Sequence, residues 1–282
     1  MRQHDYLSLG PGGFHRVAYT EWGDPDNPDV LVCVHGLTRN ARDFDHLAEA
    51  LADRYRVVCP DIVGRGRSDW LADKTQYDYG NYTSDMAALL AHLDARQVDW
   101  LGTSMGGLIG LLLAATPNTP IRRLVLNDIG PHLPLAALER IGGYVGLDLS
   151  FGSFDQAATY LKTIQAGWGA LSDTQWQHLA EHGTRRDDDG RWRLTHDPGI
   201  AAAFAAVEAD VELWPVWHAV NCPVLLFRGR ESDVLLPETA ARMQAEGPPL
   251  TVVEWPGVGH APALMDKPQI TAVADWLATT IR

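Results

Sequence analysis

The sequence contains few cysteines and no long apolar segment. Its three cysteines, Cys33, Cys59 and Cys222, are far apart, and each lies in or beside an apolar run, so they fit neither a disulfide framework nor a zinc site. No stretch approaches the about 18 uninterrupted apolar residues of a membrane-spanning helix, and the amino-terminal MRQHDYLSLG has no apolar signal core. We therefore expect buried strand thiols, no membrane span and a cytoplasmic location.

Positive charge is also scarce, with 23 Lys and Arg against 36 Asp and Glu, and a net charge of −13 when histidines are neutral. Because nucleic-acid binding depends on Lys and Arg neutralising phosphates, we expect no nucleic-acid partner and a neutral rather than a large anionic substrate. Nucleotide-binding loops are missing too: Gly64-x-Gly66 continues to Asp69 instead of a third glycine, and there is no Walker A lysine. No cofactor is expected.

What the chain does contain is an alternation of short β-branched runs with helical patterns, which predicts a mostly parallel sheet with crossover helices. The predicted strands are Phe14–Trp22, Val30–Val34, Arg56–Cys59, Val98–Gly102, Arg123–Asn127, Val224–Arg228 and Thr251–Glu254. The predicted helices of this part are Asp43–Ala52, Asn81–Leu93, Met105–Ala115, Glu238–Ala245 and Ile270–Ile281.

The alternation stops between residues 131 and 221, where no strand pattern is convincing. The pattern there predicts helices over Leu135–Val145, Phe154–Ala166, Asp173–His182 and Ile200–Glu212, with a solvated charged loop at 185–191. We interpret 131–221 as a helical insertion in a core domain formed by 1–130 and 222–282. Tryptophans concentrate in or near it, which suggests an apolar underside and an apolar substrate pocket; they are Trp168, Trp176, Trp192, Trp214 and Trp217.

A Gly-x-Ser-x-Gly motif gives the strongest indication of chemistry. Gly102-Thr103-Ser104-Met105-Gly106 directly follows the predicted strand VDWLG and begins the helix MGGLIGLLLAA. In a strand–turn–helix setting this motif is typical of a nucleophile elbow, a strained turn that projects the serine hydroxyl from the edge of the sheet. The helix N-terminus also favours developing negative charge. Ser104 is therefore the candidate nucleophile.

A serine nucleophile needs a base, which is usually a histidine oriented by a carboxylate. His260 is the best placed of the eleven histidines, since it follows the strand LTVVEW through a tight loop and precedes the final helix. The acid is expected in a loop after an upstream strand. Asp233, which follows the strand PVLLFRG, is the preferred candidate; Glu231 lies nearer the strand end, and Asp128, after the preceding strand, is the main rival.

Acyl transfer also requires donors for an oxyanion. The strand DVLVCV runs into His35-Gly36-Leu37-Thr38, a turn that can direct a backbone N–H towards the nucleophile. The N–H groups of Leu37 and of Met105, the residue after Ser104, are the expected pair. His35 is interpreted as a structural residue of this turn and not as a base.

A second histidine pattern could indicate a metal site. His178-Leu179-Ala180-Glu181-His182 fits the H-x-x-E-H pattern of some zinc peptidases, and histidines four residues apart share one helix face. The pair lies in the predicted insertion without an obvious third ligand. We therefore expect no metal site.

Taken together, the motifs resemble those of the α/β-hydrolase fold superfamily, specifically its serine esterase and lipase-like members with a helical cap. The matching segments are HGLT at 35–38, DIVGRGRS at 61–68, GTSMGG at 102–107, RGRESDVL at 228–235 and GVGHAP at 257–262. The resemblance implies a structural loop at 61–68 and a cap at 131–221 that closes over the pocket. Many relatives place the acid three residues after the strand-ending glycine, but here Ser232 occupies that position and Asp233 the next.

The resulting expectation is a carboxylesterase-type serine hydrolase in which Ser104, His260 and Asp233 act through an acyl-enzyme. Its partner is expected to be a small, neutral, partly apolar ester, and the sequence leaves the oligomeric state open. Ser104 disfavours the haloalkane dehalogenases and epoxide hydrolases of this fold, which use an aspartate nucleophile. The alternatives are a lactonase or a carbon–carbon bond hydrolase of the same fold and, from another class, a ligand-sensing protein with weak turnover.

Overall fold

The computed structural model describes residues 1–279, and its centre is a single eight-stranded sheet. The strands are β1 (Arg2–Gly10), β2 (Gly13–Trp22), β3 (Val30–Val34), β4 (Arg56–Pro60), β5 (Val98–Thr103), β6 (Ile121–Asn127), β7 (Val224–Gly229) and β8 (Leu250–Trp255). They lie in the order β1-β2-β4-β3-β5-β6-β7-β8, and the last six strands in this order are parallel to one another. The predicted mostly parallel sheet is confirmed.

Helices flank this sheet and also form most of the segment inserted between β6 and β7. The α-helices of residues 1–279 are α1 (Asp45–Leu51), α2 (Tyr79–His92), α3 (Met105–Ala114), α4 (Leu135–Val145), α5 (Phe154–Ile164), α6 (Asp173–Gly183), α7 (Trp214–Ala219), α8 (Pro237–Ala245) and α9 (Lys267–Leu277). Short 3-10 turns occur at Ala41–Phe44, Lys74–Gln76, Ala166–Trp168 and Pro198–Phe204. None of the helices in this range has the length and hydropathy to cross a bilayer.

The sheet is buried because helices cover both of its faces. All five residues of β3, including Cys33, are buried, as are the apolar residues of β5 and β7. Such continuous apolar strands are typical of parallel sheets covered on both sides. The three cysteines are free and buried, as expected; Cys33 and Cys59 lie in strands, whereas Cys222 precedes β7.

The inserted segment, residues 131–221, departs from its predicted all-helical form. Its ends are joined by a two-stranded ladder in which Leu133 pairs with Val211, so the predicted helix over Ile200–Glu212 is wrong in its second half. A second small sheet joins Ser150–Phe151, Trp192–Leu194 and Thr184–Arg186, so the predicted loop at 185–191 is partly a hairpin. Both ladders pair distant residues, and periodicity within a short window does not reveal such pairs. The predicted helix Ile270–Ile281 appears as α9, and its last two residues lie outside the described range.

The carboxyl ends of β3, β5, β6, β7 and β8 meet at one edge of the sheet. In open parallel sheets, ligands bind at this edge. The loops that leave it carry Leu37, Ser104, Asp128, Asp233 and His260, so the topology gathers all the candidate residues there.

Candidate active site

Ser104 occupies a strained turn between β5 and α3. Its backbone has φ 51° and ψ −115°, a conformation that non-glycine residues rarely adopt. The turn also forces close backbone packing, because a Cβ atom on Gly102 would lie 2.2 Å from the backbone of Gly106, and one on Gly106 would lie 2.1 Å from the Val34 oxygen. Only glycine fits at these two positions, which explains the spacing of the motif.

A continuous hydrogen-bonded chain connects three side chains at the sheet edge. His260 Nε2 lies 2.8 Å from Ser104 Oγ, and His260 Nδ1 lies 2.7 Å from Asp128 Oδ2. The arrangement is that of a nucleophile, a base and a carboxylate that orients the base. Because a carboxylate accepts hydrogen bonds, the ring proton of His260 lies on Nδ1, facing Asp128. Nε2 is then free to accept the proton of the serine.

Asp128 is fully buried immediately after β6 and is held by donors from the neighbouring strand. Its Oδ1 accepts the Gly229 N–H at 2.8 Å, and its Oδ2 accepts the Ser232 hydroxyl at 2.5 Å as well as the His260 ring. The Ser232 oxygen in turn accepts the N–H groups of Val234 and Leu235. Three donors therefore fix the carboxylate and stabilise its charge.

Asp233, the residue that the sequence favours as the acid, lies at the same edge of the sheet but does not bond to His260. Its side chain is about half exposed and forms a two-pronged ion pair with Arg140 of α4, with distances of 2.5 and 2.8 Å. Although burial opposes this, the hydrogen bond from Arg140 lowers the pKa of Asp233 below its usual range. Glu231 accepts the Gly257 N–H. The carboxylate at His260 is therefore Asp128 instead of Asp233, and the Ser232 hydroxyl donates to the same Asp128 oxygen that the His260 ring contacts.

The turn after β3 places Leu37 beside the nucleophile. Leu37 and Met105 line the same cavity as Ser104, and Met105 is the first residue of α3, where an N–H has no acceptor within the helix. His35 is fully buried, with Nδ1 2.7 Å from the Gly36 oxygen and Nε2 accepting the Ile62 N–H at 2.9 Å. Burial lowers the pKa of His35 to about 3, so it is neutral and structural.

Arg65 supports this turn, and the sequence analysis did not single it out. It is fully buried, and its Nε donates to the Leu37 oxygen at 2.8 Å while Nη1 donates to Val63 O and Tyr82 Oη. Its Nη2 lies 3.6 Å from the sulfur of Met105. One guanidinium thus contacts both residues that carry the candidate oxyanion donors. The only signal in the sequence is its position between two glycines of the 61–68 loop.

The cavity at Ser104 adjoins a second, larger one. The smaller, of about 130 Å³, contains Ser104 and His260 and has a partly polar lining that includes Arg39, Gln165 and Trp168. The larger, of about 510 Å³, is mainly apolar, and both cavities share seven lining residues: Leu37, Tyr79, Met105, Leu108, Leu133, Leu138 and Phe204.

The apolar lining does not come mainly from tryptophan. Of the five tryptophans in or near the insertion, Trp168 lines the smaller cavity, while Trp217 is buried against Gly247 and Trp192 packs on Phe154. Leucine, phenylalanine and valine side chains, among them Phe204, provide most of the apolar surface.

Asp45 is the third residue near the two histidines of the H-x-x-E-H pattern. Where α6 meets the core, three atoms that could bind a metal ion lie within 4.8 Å of one another, one each from Asp45, His178 and His182. Arg42 already forms a two-pronged ion pair with Asp45 and lies 3.5 Å from His182 Nδ1, and the Arg42 oxygen lies 2.9 Å from His178 Nε2. The positive charge of Arg42 therefore already neutralises Asp45, the one carboxylate that a metal ion would need here.

Known proteins resemble this chain over nearly its whole length. Residues 31–274 match the model of the alpha/beta hydrolase family. A 3-hydroxybutyrate-oligomer hydrolase of Cupriavidus necator is 49% identical over 93% of this chain and 92% of its own length. The structure of an alpha/beta hydrolase from Novosphingobium aromaticivorans is 37% identical with a TM-score of 0.86 over 98% of both chains. A Rickettsia typhi protein is 32% identical with a TM-score of 0.93 over the full length of both. The chain belongs to the alpha/beta hydrolase family and is a hydrolase.

Proposed function

We propose that this protein is a serine esterase that cleaves carboxylic esters through Ser104, His260 and Asp128. The observation that carries the proposal is the hydrogen-bonded chain from Ser104 Oγ through His260 to the buried Asp128. Each group has the partner that its role requires: the serine contacts its base, and the base contacts the carboxylate that orients it.

The reaction proceeds in two steps with the same base. Ser104 Oγ attacks the ester carbon while His260 Nε2 takes the serine proton, and Asp128 stabilises the resulting imidazolium. The imidazolium then protonates the leaving alkoxide, and an acyl-enzyme remains on Ser104. In the second step His260 removes a proton from water, the hydroxide attacks the acyl-enzyme, and the proton returns to Ser104 as the acid leaves.

The developing oxyanion is stabilised by the backbone N–H groups of Leu37 and Met105. Both residues line the cavity at Ser104. Arg65 donates a hydrogen bond to the carbonyl oxygen of Leu37 and so holds this turn. The Leu37 N–H is therefore preorganised before substrate binds.

Short oligomers of 3-hydroxybutyrate are the proposed substrates. They are small, partly apolar esters that carry a single terminal carboxylate, and the 49% identical relative is a 3-hydroxybutyrate-oligomer hydrolase. The adjoining cavity of about 510 Å³ gives an apolar chain a place to lie beside the nucleophile. Phe204 and Leu138 of the inserted segment line both cavities, which supports a role of residues 131–221 as a cap over the site.

The test compares Ser104→Ala with wild type on a 3-hydroxybutyrate trimer, measured as released acid. We expect kcat to fall by at least about 10⁴-fold, because the nucleophile of such a unit cannot be replaced by water alone. Ser84→Ala, which removes an exposed hydroxyl of α2, is the matched control and should retain wild-type turnover. Near-wild-type turnover by Ser104→Ala would contradict the proposal. A lactone and a dienone-type substrate in the same panel identify a lactonase or a carbon–carbon bond hydrolase.

A further inference from the structure

Gln165 is a buried amide in the wall of the cavity that contains Ser104 and His260. Gln165 is 4% exposed and lies between the end of α5 and the turn Ala166–Trp168. Within residues 1–279, its Oε1 atom has no hydrogen-bond partner. A buried polar atom without a partner is rare and costly in folded proteins, and its presence at a binding cavity points to a ligand.

The backbone that carries Gln165 is held in place by its neighbours. The Gln165 N–H donates to Leu161 O at 3.1 Å, and its own backbone oxygen accepts the Trp168 N–H at 3.0 Å. The turn is bound to the histidine loop, since the Gly259 N–H donates to the Gly167 oxygen at 2.6 Å. On its other side the Trp168 ring lies under Arg39, 5.3 Å from the guanidinium carbon. These contacts fix the backbone from which the Gln165 side chain projects.

The chemistry of the amide restricts what can bind to it. Oε1 accepts hydrogen bonds only, so its partner must be a donor, and neither an ester carbonyl nor a carboxylate can satisfy it. An ammonium group would need a counterion, but Asp43 in the cavity wall is already paired with Arg39. Among the groups that an ester substrate carries, a hydroxyl can donate to Oε1, and it can also accept a bond from the amide nitrogen.

We infer that Gln165 binds a free hydroxyl group of the acyl part of the substrate, which makes the enzyme selective for hydroxyacyl esters. The inference rests on the proposed esterase function and identifies the substrate class of that site. In 3-hydroxybutyrate esters three bonds separate the hydroxyl oxygen from the acyl carbon. A linear oligomer carries one free hydroxyl, at one end, so the enzyme removes monomers from the hydroxyl end.

The first test uses two esters that differ by one hydroxyl, p-nitrophenyl 3-hydroxybutyrate and p-nitrophenyl butyrate. We expect wild type to prefer the hydroxy ester in kcat/KM by about 10- to 100-fold, because a site built for a hydroxyl rejects the analogue that lacks it. Gln165→Leu should lose most of this preference, because its kcat/KM should fall more for the hydroxy ester than for the butyrate ester. Ile164→Val, a change in the same wall without a polar group, is the matched control and should keep the preference.

The second test needs no variant and uses wild type with a 3-hydroxybutyrate trimer whose hydroxyl end is free or capped as a methyl ether. We expect monomer to be released from the free trimer and turnover of the capped trimer to be at least about 10-fold slower. Equal turnover of both trimers, or an unchanged preference in Gln165→Leu, would overturn the inference. If wild type cleaves none of these esters, the proposed esterase function itself fails.

Discussion

Replacing Asp128 by asparagine should nearly abolish turnover, whereas the same change at Asp233 should barely affect it. The introduced asparagine can keep the hydrogen bond from the Gly229 N–H with its carbonyl oxygen. Its NH₂ group then faces His260 Nδ1 in place of the carboxylate oxygen Oδ2. Because the amide donates, Nδ1 must accept, and the ring proton moves to Nε2. Nε2 then points a proton at Ser104 and cannot act as a base.

The magnitude follows from this exchange of tautomers. The equivalent aspartate-to-asparagine change in a serine protease with the same arrangement lowers kcat by about 10⁴-fold, and we expect a loss of about 10³- to 10⁴-fold here. Asp233→Asn loses only a half-exposed ion pair with Arg140. Such pairs contribute about 0–1 kcal/mol to stability. Its kcat should therefore stay within about 3-fold of wild type.

The assay is steady-state hydrolysis of p-nitrophenyl butyrate by the two purified variants, with thermal unfolding as the control for folding. A larger loss in Asp233→Asn than in Asp128→Asn would refute the reasoning and return the acid role to Asp233. A folded Asp128→Asn variant with at least a tenth of wild-type kcat would refute the tautomer argument itself.

Three further outcomes follow from the contacts around the site. Arg65→Met removes the hydrogen bond to the Leu37 oxygen. On the same ester, kcat should fall by about 10-fold with little change in KM, and an unchanged kcat would contradict the supporting role of Arg65. Ser232→Asp in an Asp128→Asn background supplies a carboxylate at the position where many relatives place the acid. It should raise kcat at least about 10-fold above that of Asp128→Asn alone, and an unchanged kcat would show that a carboxylate at position 232 cannot orient His260. Because burial lowers the folded-state pKa of His35 to about 3, the unfolded chain binds a proton below about pH 6.5 that the folded protein does not. The free energy of unfolding, measured with urea, should therefore fall from pH 7 to pH 5, and a rise would contradict this.

The parts of the site that are encoded locally could be predicted from the sequence. The elbow is one continuous strand–turn–helix, so β5 and α3 agree with their predicted bounds to within one residue. The choice of acid could not be predicted, because several loop carboxylates met the sequence criterion. What separates Asp128 from Asp233 is a serine hydroxyl from the next strand's loop and an arginine of the inserted segment.

The inserted segment was the least predictable part for the same reason. The pairing of Leu133 with Val211 ends a stretch that has helical composition, and no local signal marks it. Tryptophan content also misled, since Trp217 is used to pack against Gly247 and not to line the cavity. Gln165 attracts no attention in the sequence, because its importance lies in the partner that its Oε1 atom lacks within the described residues.

The central claim is that Ser104 forms a covalent acyl-enzyme, and labelling with a fluorophosphonate tests it most directly. The protein is incubated with the reagent, and the modified residue is mapped by peptide mass spectrometry alongside residual esterase activity. The account predicts one adduct per chain on Ser104, loss of activity in proportion to labelling, and no adduct in Ser104→Ala. Full activity without an adduct at Ser104, or inactivation by an adduct on another residue, would contradict it.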